Sequence, residues 1–289
     1  MLVRTVAVAI ALVATPLAAQ AQAPADPPPF KASKIVLVGD STTAVNSGWG
    51  GAFCGRHVTS AVACVNLGRG GRSTSTYRAE GSWALALAEI RAGAFAQTYV
   101  LIQFGHNDAY GRAERLTDLE TSFPANLKRY VEEARAAGAH PVLVTPLARR
   151  QFKSGRLVDD LGPWARAVRA VAVETGTPLV DLNAASAAAA QALGPLGAAA
   201  WAEAPPSPAQ AEAMAGGTTV GVKFYEPPVP GAAAVPMEPP TPAAPSATGR
   251  FAPVFDHTHL GPAGAEACAT LVADALVKAT PALGRDLIP

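Results

Sequence analysis

Five short apolar runs constrain this chain more than any other feature: Ile35 to Val38, Val62 to Val65, Tyr99 to Phe104, Pro141 to Thr145 and Leu179 to Asp181. They are largely β-branched and lack polar alternation, the pattern of strands buried on both faces. Helical patterns fall between or after them, at Ser82 to Arg91, Ser122 to Ala137, Pro163 to Thr175, Ala184 to Leu193 and Pro262 to Ala279. Parallel strands need crossovers, and crossovers are nearly always right-handed. The alternation therefore predicts an α/β fold with helices on both faces of a parallel sheet. Its economical form is a flavodoxin-like three-layer α/β/α sandwich with a five-stranded parallel sheet.

The ends of the pattern mark the organisation. Residues 1–21 read as an export signal: Arg4 supplies a positive start, Thr5 to Leu17 an apolar run and Ala19-Gln20-Ala21 a cleavage pattern, so the mature chain is expected to begin at Gln22. The apolar run is short for a bilayer span, and no stable membrane insertion is expected. Residues 22–33, with Pro24, Pro27, Pro28 and Pro29, form an extended leader, because consecutive prolines fix φ and cannot join a ladder. Residues 34–289 make a single domain, interrupted by a Pro/Ala-rich stretch at about 195–253 whose composition suits an irregular or partly disordered surface insertion, either a lid or a tolerated loop expansion. Export to the periplasm or the medium puts the three cysteines in an oxidising compartment, where Cys54 and Cys64 are close enough in sequence to bridge; Cys268 is then a buried small hydrophobe.

Charge excludes one class of partner. Lysine plus arginine number 23 against 22 acids, so no long-range field gathers nucleic acid or an acidic membrane surface. A monomer is expected.

The chemistry sits at the ends of the strand candidates. The first runs straight into Gly39-Asp40-Ser41-Thr42, and open α/β sheets build their sites just past the carboxyl ends of strands. Serine there is also an ordinary helix N-cap. The far end of the chain tips the reading towards catalysis, because Asp256-His257-Thr258-His259 precedes the final helix, and an acid three residues before a histidine can orient an imidazole towards a serine. Gly68-Arg69-Gly70-Gly71-Arg72 follows the second strand and can bring backbone N–H groups to a developing oxyanion. Gly105-His106-Asn107-Asp108 follows the third, and the Asn107 amide can donate to the same oxygen.

These four blocks resemble the SGNH (GDSL) hydrolase superfamily, and within it the rhamnogalacturonan acetylesterase-like family. The likeness covers residues 34–194 and 254–279. Thr42 after the serine, the run Val100 to Asp108, and Thr145-Pro146-Leu147-Ala148-Arg149-Arg150 are similar to the acetylesterase branch. The resemblance implies Ser41 as nucleophile, with Asp256 and His259 completing a triad. It implies Ser41 N–H, Gly71 N–H and the Asn107 amide as oxyanion donors, Gly71 because it stands immediately before Arg72-Ser73. No cofactor is implied. The expected substrate is an acetylated plant cell-wall polysaccharide, most of all pectic rhamnogalacturonan. Other acyl groups, as in a lipase, arylesterase or thioesterase, remain compatible with the same fold and triad, and a non-catalytic carbohydrate-binding protein is the reading from another class.

Several residues outside the triad carry two readings. Trp49 can stack on a sugar or plug the core. Arg72, Trp49 and His257 are the candidate substrate contacts. His257 with Asp256 and His259 could suggest a metal site, but no zinc-type ligand motif accompanies them and none is expected. Asp40, Asp108 and His106 read as structural groups at turns. Arg149 and Arg150 can meet uronate carboxylates or form a structural pair.

Overall fold

Strand β1, Ser33–Gly39, is buried from Lys34 onward, with Ile35 and Leu37 on one face and Val36 and Val38 on the other. A computed structural model of the chain describes residues 31–110, 112–221 and 253–289. The expected signal peptide, nearly all of the leader, and residues 222–252 of the insertion lie outside the described residues.

After β1 come helix α1 (Gly50–Arg56), β2 (Val62–Asn66), a short α2 (Thr76–Ala79), α3 (Ser82–Arg91), β3 (Thr98–Gln103), a short α4 (His106–Ala109), α5 (Ser122–Ala136) and β4 (His140–Val144). A small hairpin follows, β5 (Phe152–Lys153) and β6 (Arg156–Leu157), then α6 (Gly162–Thr175), β7 (Leu179–Val180), α7 (Leu182–Ala199), α8 (Pro208–Ala215) and α9 (Pro262–Ala279). Five strands form one all-parallel sheet in the order β2-β1-β3-β4-β7. This is the expected sandwich, and each expected strand and helix is present.

One face of the sheet packs Val36, Val38, Val100, Ile102 and Leu143 against Trp83 of α3, Tyr130 of α5 and Trp164 of α6. The other packs Ile35, Leu37, Leu101, Val142 and Val144 against Phe53 of α1 and Val272 and Leu276 of α9. Side chains of successive strand residues therefore go to opposite helical layers, which is why these runs carry no polar alternation. Cys54 of α1 and Cys64 of edge strand β2 are disulfide-bonded with their Cα atoms 5.4 Å apart. Cys268 on α9 is buried and free; burial pushes its thiol up to about 12.

The described part of the proline-rich stretch, residues 195–221, contains helix where composition suggested irregular chain. α7 continues past a break at Gly194 (φ 70°) and Pro195 to Ala199. α8 begins with a capping box: the Ser207 hydroxyl accepts from the Gln210 N–H, and the Gln210 side chain accepts from the Ser207 N–H. The strand following α8 in space is β5, where the Thr219 hydroxyl accepts from Phe152 N–H at 2.9 Å and Thr219 N–H donates to Phe152 O at 3.0 Å. Among the described residues no helix is long and apolar enough to cross a membrane.

Candidate active site

In this strand order the chain leaves β1 for β2 on one side and reaches β3 on the other, so a crevice opens beyond the carboxyl ends of β1 and β3. Ser41 stands there. The Asp40 carboxylate accepts from Thr42 N–H and the Thr42 hydroxyl at 2.8 and 2.7 Å, and its carbonyl accepts from Thr43 and Ala44 N–H. These bonds turn the chain sharply and leave Ser41 half-buried at the bend. Asp40 itself is fully buried, 3.6 Å from His106 Nδ1. Burial opposes its charge, yet His106 and the Thr42 bonds hold its carboxyl below the usual carboxylate value.

His259 arrives from the loop before α9. Its Nδ1 lies 2.5 Å from Asp256 Oδ2, and its Nε2 lies 2.9 Å from Ser41 Oγ. A carboxylate only accepts, so Nδ1 carries the proton and Nε2 presents its lone pair to the serine hydroxyl. Asp256 Oδ1 accepts the backbone N–H groups of Thr258 and His259, each at 2.7 Å. Burial opposes ionisation of Asp256, but His259 and these N–H groups hold its carboxyl well below the ordinary range. Burial likewise opposes a charged His259, and the Asp256 hydrogen bond and charge outweigh it, so the imidazole sits above its ordinary value.

The loop is fastened by Arg150, which is 2% exposed. Its guanidinium donates to the carbonyls of Asp256, Thr258 and His259, at 3.1, 3.2 and 2.7 Å, and its backbone N–H donates to His257 O at 2.8 Å. Burial pulls its pKa down to about 10, still far above neutrality. Three backbone carbonyls accept its guanidinium donors, and the nearby Asp256 charge also favours its protonated form.

On the opposite side of Ser41, Gly71 adopts φ 77°, a conformation open to glycine and costly for residues with a Cβ. A Cβ on the neighbouring Gly70 would lie 3.7 Å from Ser41 Cβ. Among the described residues neither Ser41 N–H nor Gly71 N–H donates to another group of the chain. Asn107 Nδ2 donates to Arg72 O at 3.0 Å, which fixes the amide beside the glycine block and leaves its second N–H. Asp108 ties three segments together: it accepts from Thr74 N–H and hydroxyl and from the Thr117 hydroxyl. Burial pushes its carboxyl up to about 7 in spite of those donors.

The candidate substrate contacts fare differently. Trp49 is fully buried, donates to Gln103 Oε1 at 2.7 Å and packs edge-on against Phe53. It is a core plug, because the glycines around it, Gly48 and Gly50, let the chain press the indole under the sheet end. His257, expected to be exposed or a substrate contact, is also buried, against Phe255. Burial lowers its pKa, partly countered by a hydrogen bond to the Val220 carbonyl, so its ring faces the chain after α8 and not Ser41. Arg72 lies by the site, but its guanidinium is held by Glu80 and Gly70 O. Arg149 is paired with Asp160, stacked on Tyr110 and bonded to Thr258. Among the described residues no group of three or more His, Cys, Asp or Glu side chains is gathered for a metal ion. The loop-fastening role of Arg150 escaped the sequence reading, since nothing in an Arg-Arg pair says which one turns inward.

The GDSL-like Lipase/Acylhydrolase family model matches residues 37–203, a span that includes Ser41, Gly71 and Asn107 and stops before Asp256. A probable rhamnogalacturonan acetylesterase of Bacillus subtilis (strain 168), YesY, is 35% identical over 157 residues, 52% of this chain and 70% of that protein. Rhamnogalacturonan acetylesterase RhgT of the same bacterium is 36% identical over 173 residues, 57% of this chain and 71% of its own length. Two crystal structures show the same fold. B. subtilis YxiM has a TM-score of 0.57 at 21% identity, covering 86% of this chain and 57% of that one. A catalytic mutant of Axe2, an acetylxylan esterase from Geobacillus stearothermophilus, has a TM-score of 0.50 at 16% identity, covering 86% and 95%. A family match over more than half of the chain, two acetylesterases aligned along most of their length and the shared sheet agree: the chain belongs to the GDSL-like lipase/acylhydrolase family, the SGNH hydrolases, which are carboxylic ester hydrolases.

Proposed function

We propose that this chain is an exported serine acetylesterase that removes O-acetyl groups from a plant cell-wall polysaccharide, pectic rhamnogalacturonan foremost, through an acetyl-Ser41 intermediate. The observation that carries the reading is the unbroken line Ser41 Oγ to His259 Nε2 to Asp256, at 2.9 and 2.5 Å. Ser41 Oγ attacks the acetyl carbonyl carbon as its proton passes to His259 Nε2. Ser41 N–H, Gly71 N–H and the free Asn107 N–H hold the oxyanion. His259 then gives that proton to the departing sugar oxygen, takes one from a water that attacks the acetyl carbon, and returns it to Ser41 as acetate leaves. Asp256 stays ionised and stabilises the imidazolium.

Relatives named for rhamnogalacturonan support the substrate class. The leader pattern and the Cys54–Cys64 bridge support export, since such bonds persist in oxidising compartments. Acetate release from acetylated rhamnogalacturonan, compared with acetylated xylan and long-chain 4-nitrophenyl esters, tests the reading. Preference for the pectic substrate is expected; preference for long acyl chains would replace it with a lipase. Ser41→Ala should abolish release, and Asn107→Ala should lower turnover roughly 10²- to 10³-fold, the usual loss for one oxyanion donor.

A further inference from the structure

We infer that Arg115 forms a carboxylate-binding subsite beside the nucleophile, one that selects uronic acid residues in the substrate; this rests on the acetylesterase reading above. Arg115 ends a single 3-10 turn, Ala113–Arg115, in the segment between α4 and α5. Thr117 anchors that segment, its N–H donating to Asp108 O at 3.1 Å and its hydroxyl to Asp108 Oδ1 at 2.9 Å. The same Asp108 holds Thr74, just after the glycine block. One buried carboxylate therefore fixes the Arg115 segment against the Gly71 loop.

The result is a guanidinium laid over a glycine. A Cβ on Gly71 would come within 3.1, 3.2 and 3.3 Å of Arg115 Nη1, Nη2 and Cζ. The adjacent Gly70 faces Ser41 Cβ, and consecutive α-carbons are about 3.8 Å apart. Nucleophile and guanidinium thus flank one glycine pair. Arg115 is half-buried, and its backbone N–H donates to Arg112 O at 2.9 Å, yet among the described residues its guanidinium has no ion pair or hydrogen bond. Its neighbours at the glycine block, Arg69 and Arg72, share a single carboxylate, Glu80. Those two guanidiniums are paired, whereas that of Arg115 has no acid partner among the described residues.

A planar guanidinium offers a fork of donors matched to a carboxylate. A uronic acid carries its carboxylate on the ring whose hydroxyl bears the acetyl group, so ester carbonyl and carboxylate can reach Ser41 and Arg115 together. A neutral pentose offers no such group.

The test compares kcat/KM on acetylated oligogalacturonate in its free-acid and methyl-esterified forms. The native protein should prefer the free acid. In Arg115→Gln that ratio should fall about ten- to a hundredfold, the value of a hydrogen bond to a charged group, carried by KM; Arg115→Lys should keep part of it, and Arg285→Gln, a distant exposed change, all of it. An unchanged ratio, or equal loss on both forms, overturns the subsite. Inhibition of 4-nitrophenyl acetate hydrolysis by unacetylated oligogalacturonate separates this claim from the substrate reading. Inhibition that weakens in Arg115→Gln upholds the subsite even if acetylated rhamnogalacturonan is not turned over. No inhibition of the native protein overturns it.

Discussion

At the scale of single residues, the imidazole of His259 is balanced between burial, which disfavours its charge, and Asp256, which favours it, with the carboxylate prevailing. Only the neutral ring can take the Ser41 proton, so kcat/KM should rise with pH through a limb whose midpoint lies above the ordinary histidine value of about 6.5. Asp256→Asn should move that limb towards acid and slow the reaction; a limb that stays in place would show that another group titrates. The raised pKa also means that protonated His259 adds stability that is complete below about 6.5 and is lost as pH rises through its folded value. The depressed Asp256 acts in the opposite sense, adding stability above its ordinary 3.8 that is lost in acid. Arg150 works through the loop it holds. Arg150→Met strands three buried carbonyls, and should cost on the order of 3 kcal/mol in urea denaturation and about a hundredfold in kcat, as a displacement of the base by an ångström does. A variant of native stability with undiminished kcat would dismiss that role. Ser41, Gly71 and Asn107 drew attention because each sits in a short block at the end of an apolar run, and Asp256 and His259 because an acid stands three residues before a histidine ahead of the last helix; the structure brings Asp256, His259 and Ser41 together. Of the two readings of Trp49 the buried one holds, and His257, a candidate substrate contact, is buried as well; sequence does not show which way an aromatic ring among glycines, or a histidine beside an acid, will turn.

At the scale of elements, legibility followed length and periodicity. The strands and the long helices α3, α5, α6, α7 and α9 appear within a few residues of their expected limits because β-branched runs and 3.6-residue patterns persist there. Helix α1 did not show, since Gly-Gly-Ala-Phe-Cys-Gly-Arg offers three glycines and a single large apolar anchor. The β5–β6 hairpin turns on Ser154 and Gly155, at φ 50° and 76°, and the Ser-Gly dipeptide is the turn signal that could have revealed it. Ser207-Pro208-Ala209-Gln210 is a capping box with proline at the first helical position, and it could have revealed α8 in a stretch dismissed as irregular. Among these elements β2 is one of the two edge strands of the sheet, and the Cys54–Cys64 bridge ties it to α1. Chain-entropy estimates give about 3 kcal/mol for closing a short loop. Cys54→Ala with Cys64→Ala should therefore lower unfolding free energy by about 2–3 kcal/mol, and adding reductant to the native protein should do the same while leaving the double variant unmoved. Equal urea midpoints for the two proteins would contradict this.

At the scale of the whole molecule, the topology was recoverable from alternation alone, because a five-stranded parallel sheet has few right-handed ways to be wound. What alternation could not show is how the acid–histidine loop is brought home. Gly261 N–H donates to Trp201 O at 2.8 Å, and a Cβ on Gly264 would stand 2.4 Å from that same carbonyl, so α9 seats against the end of the α7 region before its buried face covers the sheet. Ser41 and His259 are 218 positions apart, and contacts across such separations are late and slow to form. Refolding from urea should therefore recover tryptophan burial no later than esterase activity, with ester hydrolysis appearing only as α9 docks; activity preceding the fluorescence change would refute that order. The same separation bears on biosynthesis. A ribosome that has delivered every strand of the sheet has still not made a catalyst, because the base lies beyond them all. The polypeptide is thus chemically silent throughout its synthesis and becomes a hydrolase in one late step.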